Sequence, residues 1–477
     1  VSQDTAVAEP SLRSQVARGA AWSGLSTIVL RLGSLVVGIV LARLLTPEQF
    51  GVYAIALTAQ SILMAAADLG LSADLVRSKE PERVAPTIAT LGLVTGAVTT
   101  ALTFATSGLL AELLGSADAA SSIAMLSFTL LLAGVSIVPY GYLLRRFQQR
   151  ELLFIGVIDF TVSTIVTLVL AFAGVGPLSL AIGRVAAQAA SSAAQFLFAR
   201  VRPRYGIDRT VVRGVLAFGV PLASANLLGL LLLNIDNVVI ARVGGATALG
   251  FYVLAFNISS WPMSALSQMV RSVALPYFSR AGDTRAAIAR FSAIGWAAAL
   301  PAGAVLAALS APLIEVLYGE RWLPAAPVLA ALGFYGGTRV LVDIFNGCLY
   351  AQGRSRPVLW IQVLSLIALT AGMVVATPLF GIVGAAWVHV AVSVVLILPA
   401  YAVALAGSGI RAGDLLRLMW RPTAATVPAA AVALAAAALI PSPLVALLAG
   451  GTAAVGVYAL LMWSWVRVHV AGLAVRG

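Results

Sequence analysis

Long apolar runs, separated by short clusters of charge, Gly or Pro, succeed one another from about residue 19 to residue 466. A membrane-spanning helix takes ~20 apolar residues. On that measure the pattern predicts fourteen spans, at about 19–42, 50–76, 84–110, 119–143, 153–175, 178–200, 214–241, 248–275, 291–314, 325–351, 357–377, 380–405, 422–440 and 443–466. Two of the divisions rest on very short breakers, Gly174-Val175-Gly176-Pro177 and Pro441-Ser442-Pro443, whose residue types interrupt helices.

The polar positions give this pattern a direction. With the N-terminus and every even-numbered loop on one side of the membrane, that side holds 23 of the 30 Lys and Arg residues. The opposite side holds only Arg43, Arg242 and Arg321, and four arginines fall inside spans. Positive charge marks cytoplasmic loops, so both termini are expected in the cytoplasm and the number of spans is expected to be even.

Composition narrows the class. The 477 residues are 61% hydrophobic and 10% charged, with a mean hydropathy of +1.00. Soluble domains are about 25% charged, so a water-soluble multidomain protein is excluded. A net charge of +12 on a soluble protein would suggest nucleic acid; here it is a topology signal, and no nucleic-acid partner is expected. Cys348 stands alone and can form no internal disulfide, and His389 and His469 are too few and too distant to build a zinc site with it. No metal, cofactor or catalytic residue is predicted. Asp4 and Glu9, with no short apolar core before a small-residue cleavage site, do not read as a signal peptide, so the first apolar run is expected to stay in the membrane.

An internal repeat is also legible. The segment Ala42–Tyr53 (ARLLTPEQFGVY) joins the first two spans, and Ala241–Tyr252 (ARVGGATALGFY) joins the seventh and eighth at an offset of 199 residues. Six spans, an even number, separate the copies, so both would sit the same way up in the membrane, a parallel repeat known among transporters. The alternative is a chance match in a low-complexity apolar chain.

These pieces, in their order, carry a resemblance. Ala42–Tyr53, Leu69-Gly70-Leu71, Phe218-Gly219-Val220-Pro221, Asp236–Ile240, Leu249–Tyr252, Leu275–Phe278, Tyr318–Trp322 and Tyr350–Gly353 together resemble the polysaccharide-exporter branch, the Wzx-type oligosaccharide flippases, of the multidrug/oligosaccharidyl-lipid/polysaccharide (MOP) superfamily. The resemblance covers about residues 13 to 405. It implies an all-α integral membrane fold of two parallel six-helix lobes around a central cavity plus two C-terminal helices. The expected division is an N-lobe at 1–206, a C-lobe at 207–406 and a helix pair with tail at 407–477. It further implies alternating access, residence in the bacterial plasma membrane, and an undecaprenyl-pyrophosphate-linked glycan as cargo. A glycan polymerase or a chain-length regulator is the implied protein partner.

Charges within spans are the candidate chemistry. An uncompensated charge at a helix centre costs ~2.5–3.5 kcal/mol or more, so such residues should face protein or a water-filled cavity. The resemblance implies that spans one, two, seven and eight line the cavity, which directs Arg31 and Arg271 to the pathway. A guanidinium fork suits phosphate oxygens, so these two are the predicted pyrophosphate ligands. A packing role remains open, such as a buried pair of Arg271 with Asp68. Asp68, Asn226, Asn234, Asp236 and Asn257 are candidate cavity-lining or coupling residues, Asp236 for a coupling cation in particular. Gln188, Gln195, Asn226 and Asn257 read first as interhelical hydrogen-bonding groups and second as sugar contacts. Arg339 and Asp343, at i and i+4, read as a local ion pair, and Arg184 and Asp159 as side chains reaching for the interfaces. The spacings Gly92–Gly96 and Gly333–Gly337 permit close helix packing.

Three transporter readings share this architecture: the oligosaccharide flippase, a peptidoglycan lipid-precursor flippase, and a cation-coupled multidrug antiporter. The deep arginines favour an anionic headgroup. A membrane glycosyltransferase or polymerase would need catalytic carboxylates or metal ligands on a sizeable outer loop; the longest outward segments, around Glu112–Asp118 and Glu315–Leu323, are short, and no paired-carboxylate motif occurs on either side. No enzyme is expected.

Overall fold

Pro47 occupies the first turn of a helix, where its missing N–H costs nothing. Thr46 Oγ1 accepts the Gln49 N–H at 3.3 Å, and the Gln49 side chain accepts the Thr46 N–H at 3.0 Å. This reciprocal capping box is how Ala42–Tyr53 turns from α1 (Gly33–Leu44) into α2 (Pro47–Asp68). The computed structural model describes residues 33–202, 204–280, 284–407, 409 and 412–474, with backbone alone at 225, 232, 264–265, 267–280, 284–287 and 468–474. Among the described residues every regular element is helical.

The chain divides into two units, Val1–Asn234 and Ile235–Gly477. In the first, α3 (Leu71–Arg77), α5 (Ser107–Leu113) and α7 (Ile137–Arg145) are short, while α4 (Pro81–Ala105), α6 (Ala120–Val135), α8 (Gln149–Phe172) and α9 (Leu178–Ala199) are long. The breaker at 174–177 behaves as its residues require: Gly174 and Gly176 take φ of 79° and 71° between α8 and α9, a conformation open to glycine at no steric cost. Leu71, Leu75, Ile88 and Val138 form a core with Val211 and Val215, which draws the start of α10 (Arg209–Arg280) into this unit.

In the second unit, Gly245 interrupts α10 at φ 75°. It falls within the copy of the turn that Thr46 caps in the first unit, so a left-handed glycine there replaces the capping box. There follow α11 (Thr284–Ala308), α12 (Ser310–Tyr318), α13 (Ala326–Ala351), α14 (Ser355–Val392), α15 (Leu398–Ala406), α16 (Ala412–Leu439) and α17 (Pro443–Ala474). Met263, Val340, Ile344, Cys348, Tyr401 and Leu415 make its main core. The C-terminal pair packs here too: Ala293 meets Ala425, Met462 and Trp465, and Leu309 meets Ala429, Ala433 and Ala454. The Pro441–Pro443 breaker separates α16 from α17.

Both units use glycine for one close crossing. A Cβ on Gly92 would lie 2.7 Å from the Gly134 carbonyl oxygen, where α4 crosses α6. In the second unit a Cβ on Gly333 would lie 2.7 Å from the Gly303 carbonyl oxygen, where α13 crosses α11. Gly134 and Gly333 are 199 residues apart, the offset of the sequence repeat.

Eleven segments among the described residues are long and apolar enough to cross a membrane, against fourteen expected. Ser355–Ala406 counts once at 52 residues although Gly381 breaks it at φ 61°; at ~1.5 Å per residue it is about 78 Å long, over twice the ~30 Å hydrocarbon core. The first expected span is described only from Gly33. Helix α9 has the length, at 22 residues, but carries Arg184, Gln188 and Gln195 and is not among the eleven. Large apolar side chains such as Leu197, Val395, Leu439 and Leu460 are strongly exposed, as a bilayer permits and water does not.

Candidate functional site

Leu69 and Gly70 are both left-handed, at φ 43° and 63°. A leucine takes that conformation reluctantly; it ends α2 at Asp68 and begins α3 at Leu71. The reversal sets Ser72 against Asp68, whose carboxylate accepts from both the hydroxyl and the backbone N–H of Ser72. Asp68 is thereby held at the edge of a cavity of about 790 Å³ inside the first unit, a size within the ~300–1,000 Å³ of small-ligand sites.

Helices α2, α6, α7, α9 and the early part of α10 supply most of the wall. Asp68, Tyr140, Gln188, Gln195 and Asn226 are its principal polar groups, with Ser61, Ser72 and Ser136 beside them. Among the described residues that line it, Asp68 alone is charged, and none is Arg or Lys. Gly96 and Gly134 are in the wall as well, so the α4–α6 crossing shapes the floor of the cavity.

Gln188 and Gln195 lie seven residues apart on one face of α9. The Gln188 amide reaches Ser192 Oγ only at 3.5 Å, a weak bond. Ser192 in turn meets Ser136 Oγ at 3.1 Å and the Leu132 carbonyl at 3.3 Å, tying α9 to α6 and α7. Gln195 is 9% exposed and its Oε1 has no hydrogen-bond partner among the described residues. Leaving a buried acceptor unsatisfied costs ~1–3 kcal/mol. Among the described residues, Gln195 Oε1 makes no interhelical bond.

Of the predicted site residues, Asp68 and Asn226 come together in this cavity, and Asn234, Asp236 and Asn257 do not line it. Asn234 turns back on its own helix, its amide donating to the Leu230 carbonyl at 2.8 Å. Asn257 is exposed on α10. Arg31 lies outside the described residues, and at Arg271 only the helical backbone of α10 is described.

Asp236 belongs to a buried cluster of the second unit. Its carboxylate accepts from the Tyr252 hydroxyl at 3.0 Å and from the Asn237 N–H at 2.9 Å. His389, also buried, stands edge-on to Tyr335 with ring centres 4.9 Å apart and interacts electrostatically with Asp236 and Arg339. The sequence gives no zinc site at His389, and its place in an apolar helix is the one signal there of a buried polar cluster.

Arg184 and Asp159, expected to reach separately for the interfaces, instead pair across α9 and α8 at 3.0 Å. Each neutralises the other, which a charge in hydrocarbon needs more than it needs headgroup contact.

Before α10, the segment that follows α9 is pinned to α4. The Gly206 N–H donates to Thr90 Oγ1 at 3.0 Å, and the Asp208 N–H to Thr87 Oγ1 at 3.1 Å. Asp208 lies outside the spans; the Thr210 hydroxyl and N–H hold its carboxyl below the usual carboxylate range, and Arg83 adds to this.

Residues 40–327 match the model of the polysaccharide biosynthesis protein family, more than half of the chain. The chain belongs to that family. Among its relatives, the lipopolysaccharide biosynthesis protein WzxC of Escherichia coli (strain K12) is 27% identical over 356 residues, 72% of this chain and 71% of that protein. The teichuronic acid biosynthesis protein TuaB of Bacillus subtilis (strain 168) is 25% identical over 398 residues, 81% of each chain. The succinoglycan biosynthesis transport protein ExoT of Rhizobium meliloti (strain 1021) is 25% identical over 336 residues, 69% of this chain and 68% of that protein. Among solved structures, the lipid II flippase MurJ in an inward closed conformation superposes with a TM-score of 0.78 at 12% identity, covering 94% of this chain and all of that one. An inward-facing multidrug resistance MATE family transporter of the MOP superfamily follows at 0.62 and 15% identity, with 85% and 98% covered. The fold is the one these two solved structures share, a multi-pass helical membrane architecture.

Proposed function

We propose that this transporter moves an undecaprenyl-pyrophosphate-linked oligosaccharide from the cytoplasmic to the outer leaflet of the bacterial plasma membrane by alternating access. The observation that carries the reading is the family match, with relatives named for the biosynthesis or transport of three surface polysaccharides. The cavity of the first unit supports it chemically: amides, hydroxyls and one tyrosine among apolar side chains suit a sugar, which offers hydroxyls at its edge and C–H groups on its face. Arg31 and Arg271 are the proposed pyrophosphate ligands, since a planar, permanently charged fork matches phosphate oxygens. A glycan polymerase or chain-length regulator would receive the product on the outer side.

Depletion of the protein in its own cell tests this. Lipid-linked oligosaccharide should accumulate on the cytoplasmic face, and its mass would name the repeat unit. Accumulation of the peptidoglycan lipid precursor instead would favour that flippase, and accumulation of neither, with new sensitivity to cationic drugs, would favour a multidrug antiporter.

A further inference from the structure

We infer that the furrow between α16 and α17, at the end of the C-terminal pair far from its joining turn, binds the headgroup of an anionic phospholipid of the cytoplasmic leaflet, with Arg421 as the phosphate ligand. The inference goes beyond the glycan reading above and does not depend on it, because it concerns a resident lipid and not the cargo.

The furrow holds about 290 Å³, and its walls include Trp420, Arg421, Ala424 and Pro428 of α16 with Leu461 and Trp465 of α17. Arg417, Arg421, Ala424 and Pro428 follow one another at spacings of four, three and four, so they share one stripe of α16. The inner part of the stripe is small and leaves the furrow open; the outer part is basic. Ala425, Met462 and Trp465 form the floor, buried against Ala293 of α11, so the packed core of the second unit sets its shape. The rim is accessible, with Trp420 60% and Leu461 52% exposed. Arg421 lies 18 residues before the end of α16 at Leu439, and Trp465 lies 22 residues after the start of α17 at Pro443. At ~1.5 Å per residue these are about 27 and 33 Å from the joining turn, close to the ~30 Å of the hydrocarbon core. The furrow therefore stands where hydrocarbon gives way to headgroups, a level that Trp and Arg side chains favour.

Charge names the occupant. The two helices carry Arg417, Arg421 and Arg467 at this end against one acid, Asp414, and the distribution of arginine makes this the cytoplasmic side. Arg421 Cζ stands 5.9 Å from the Trp420 ring centre and Arg467 Cζ 4.6 Å from that of Trp463. These cation–π contacts hold the guanidiniums at the rim, and among the described residues neither makes an ion pair. A phosphodiester takes a guanidinium fork through two oxygens, and a basic site between transmembrane helices on this side suits an anionic headgroup. A zwitterionic headgroup would bring its ammonium among the same three arginines and gain less. Below the phosphate, an acyl chain would run over Ala424 and Pro428 against Leu461.

The test is native mass spectrometry of the full-length protein in detergent, titrated with phosphatidylglycerol and with phosphatidylethanolamine of the same chains. The first phosphatidylglycerol should bind about fivefold more tightly than phosphatidylethanolamine. Arg421→Gln should remove that preference. Ala424→Trp, which fills the furrow and keeps every charge, should weaken phosphatidylglycerol to a similar extent. Arg356→Gln, at an exposed arginine where α14 begins, should change neither. Both substituted positions in the furrow are exposed, so the lipid-free variants should melt as the parent does, and a binding loss then reports the site. Equal binding of the two phospholipids, equal losses in Arg421→Gln and Arg356→Gln, or unchanged binding in Ala424→Trp would overturn the inference. So would displacement of phosphatidylglycerol by undecaprenyl pyrophosphate at lower concentration, which would assign the furrow to the cargo. The glycan reading stands or falls separately, by the depletion experiment.

Discussion

The Tyr252 phenol donates a 3.0 Å hydrogen bond to the Asp236 carboxylate, and both side chains are buried sixteen residues apart on α10. The bond spans the Gly245 interruption, so it fixes how the two parts of that helix within the second unit meet. Tyr252→Phe should lower stability by ~1–3 kcal/mol, because a buried acceptor loses its donor. In an Asp236→Leu background the same Tyr252→Phe change should cost less, because the acceptor it would orphan is already gone. Thermal unfolding of the purified variants measures both; strictly additive effects would mean the bond is incidental.

The Arg184–Asp159 pair makes a parallel prediction in the first unit. Arg184→Leu leaves a carboxylate in an apolar span, where insertion scales put the cost at ~2.5–3.5 kcal/mol near the centre. The double variant Arg184→Leu, Asp159→Leu should be more stable and better expressed than either single variant. Single variants as stable as the parent would show that the two charges are solvated independently.

Gly134→Ala should be destabilising by ~1–3 kcal/mol, as overpacking typically is, because the new Cβ would meet the Gly92 backbone. Gly333→Ala should cost a similar amount in the second unit against Gly303. Only the first should also alter sugar binding, as Gly134 is in the cavity wall. Melting temperatures, with binding of a disaccharide such as di-N-acetylchitobiose, separate the two effects.

Asp208 gives the segment before α10 a pH dependence. Its carboxyl sits below the usual range because Thr210 donates to the ionised form. A depressed folded value means the stabilisation is complete above the unfolded value of ~3.9 and is lost as pH falls through the folded one. Protection of the Gly206 and Asp208 amides, taken relative to the intrinsic exchange rate at each pH, should therefore fall below about pH 4, and Thr210→Val should remove most of that dependence. Equal protection at pH 3 and pH 6 would contradict the assignment.

What could be read from the chain was what is local. The turn at Thr46-Pro47-Glu48-Gln49, the glycines at 174 and 176 and the prolines at 441 and 443 act on their immediate neighbours, so their residue types were enough. The close packing at Gly92 and Gly333 followed from small-residue spacing in the same way. The meeting of Arg184 and Asp159 is not legible in the chain, because it depends on the rotation of α8 against α9, which a separation of 25 residues does not specify. Gln195 is a similar case: an amide in an apolar helix announces a need for partners, and only the packed wall reveals that its acceptor has none among the described residues. Asp68 and Asn226 are legible as cavity residues, whereas the amides of α9 that complete that wall read on sequence as helix-packing groups first.

The most direct test of the account is transport itself. Full-length protein in proteoliposomes, given undecaprenyl-pyrophosphate-linked oligosaccharide in the outer leaflet and an impermeant glycan-oxidising reagent outside, should move the lipid inward and protect a growing share of it from oxidation. Protection should fall sharply in Arg31→Leu and Arg271→Leu. Lipid that stays fully oxidisable in vesicles holding folded protein, under imposed proton and sodium gradients of either sign as well as without them, would contradict the account.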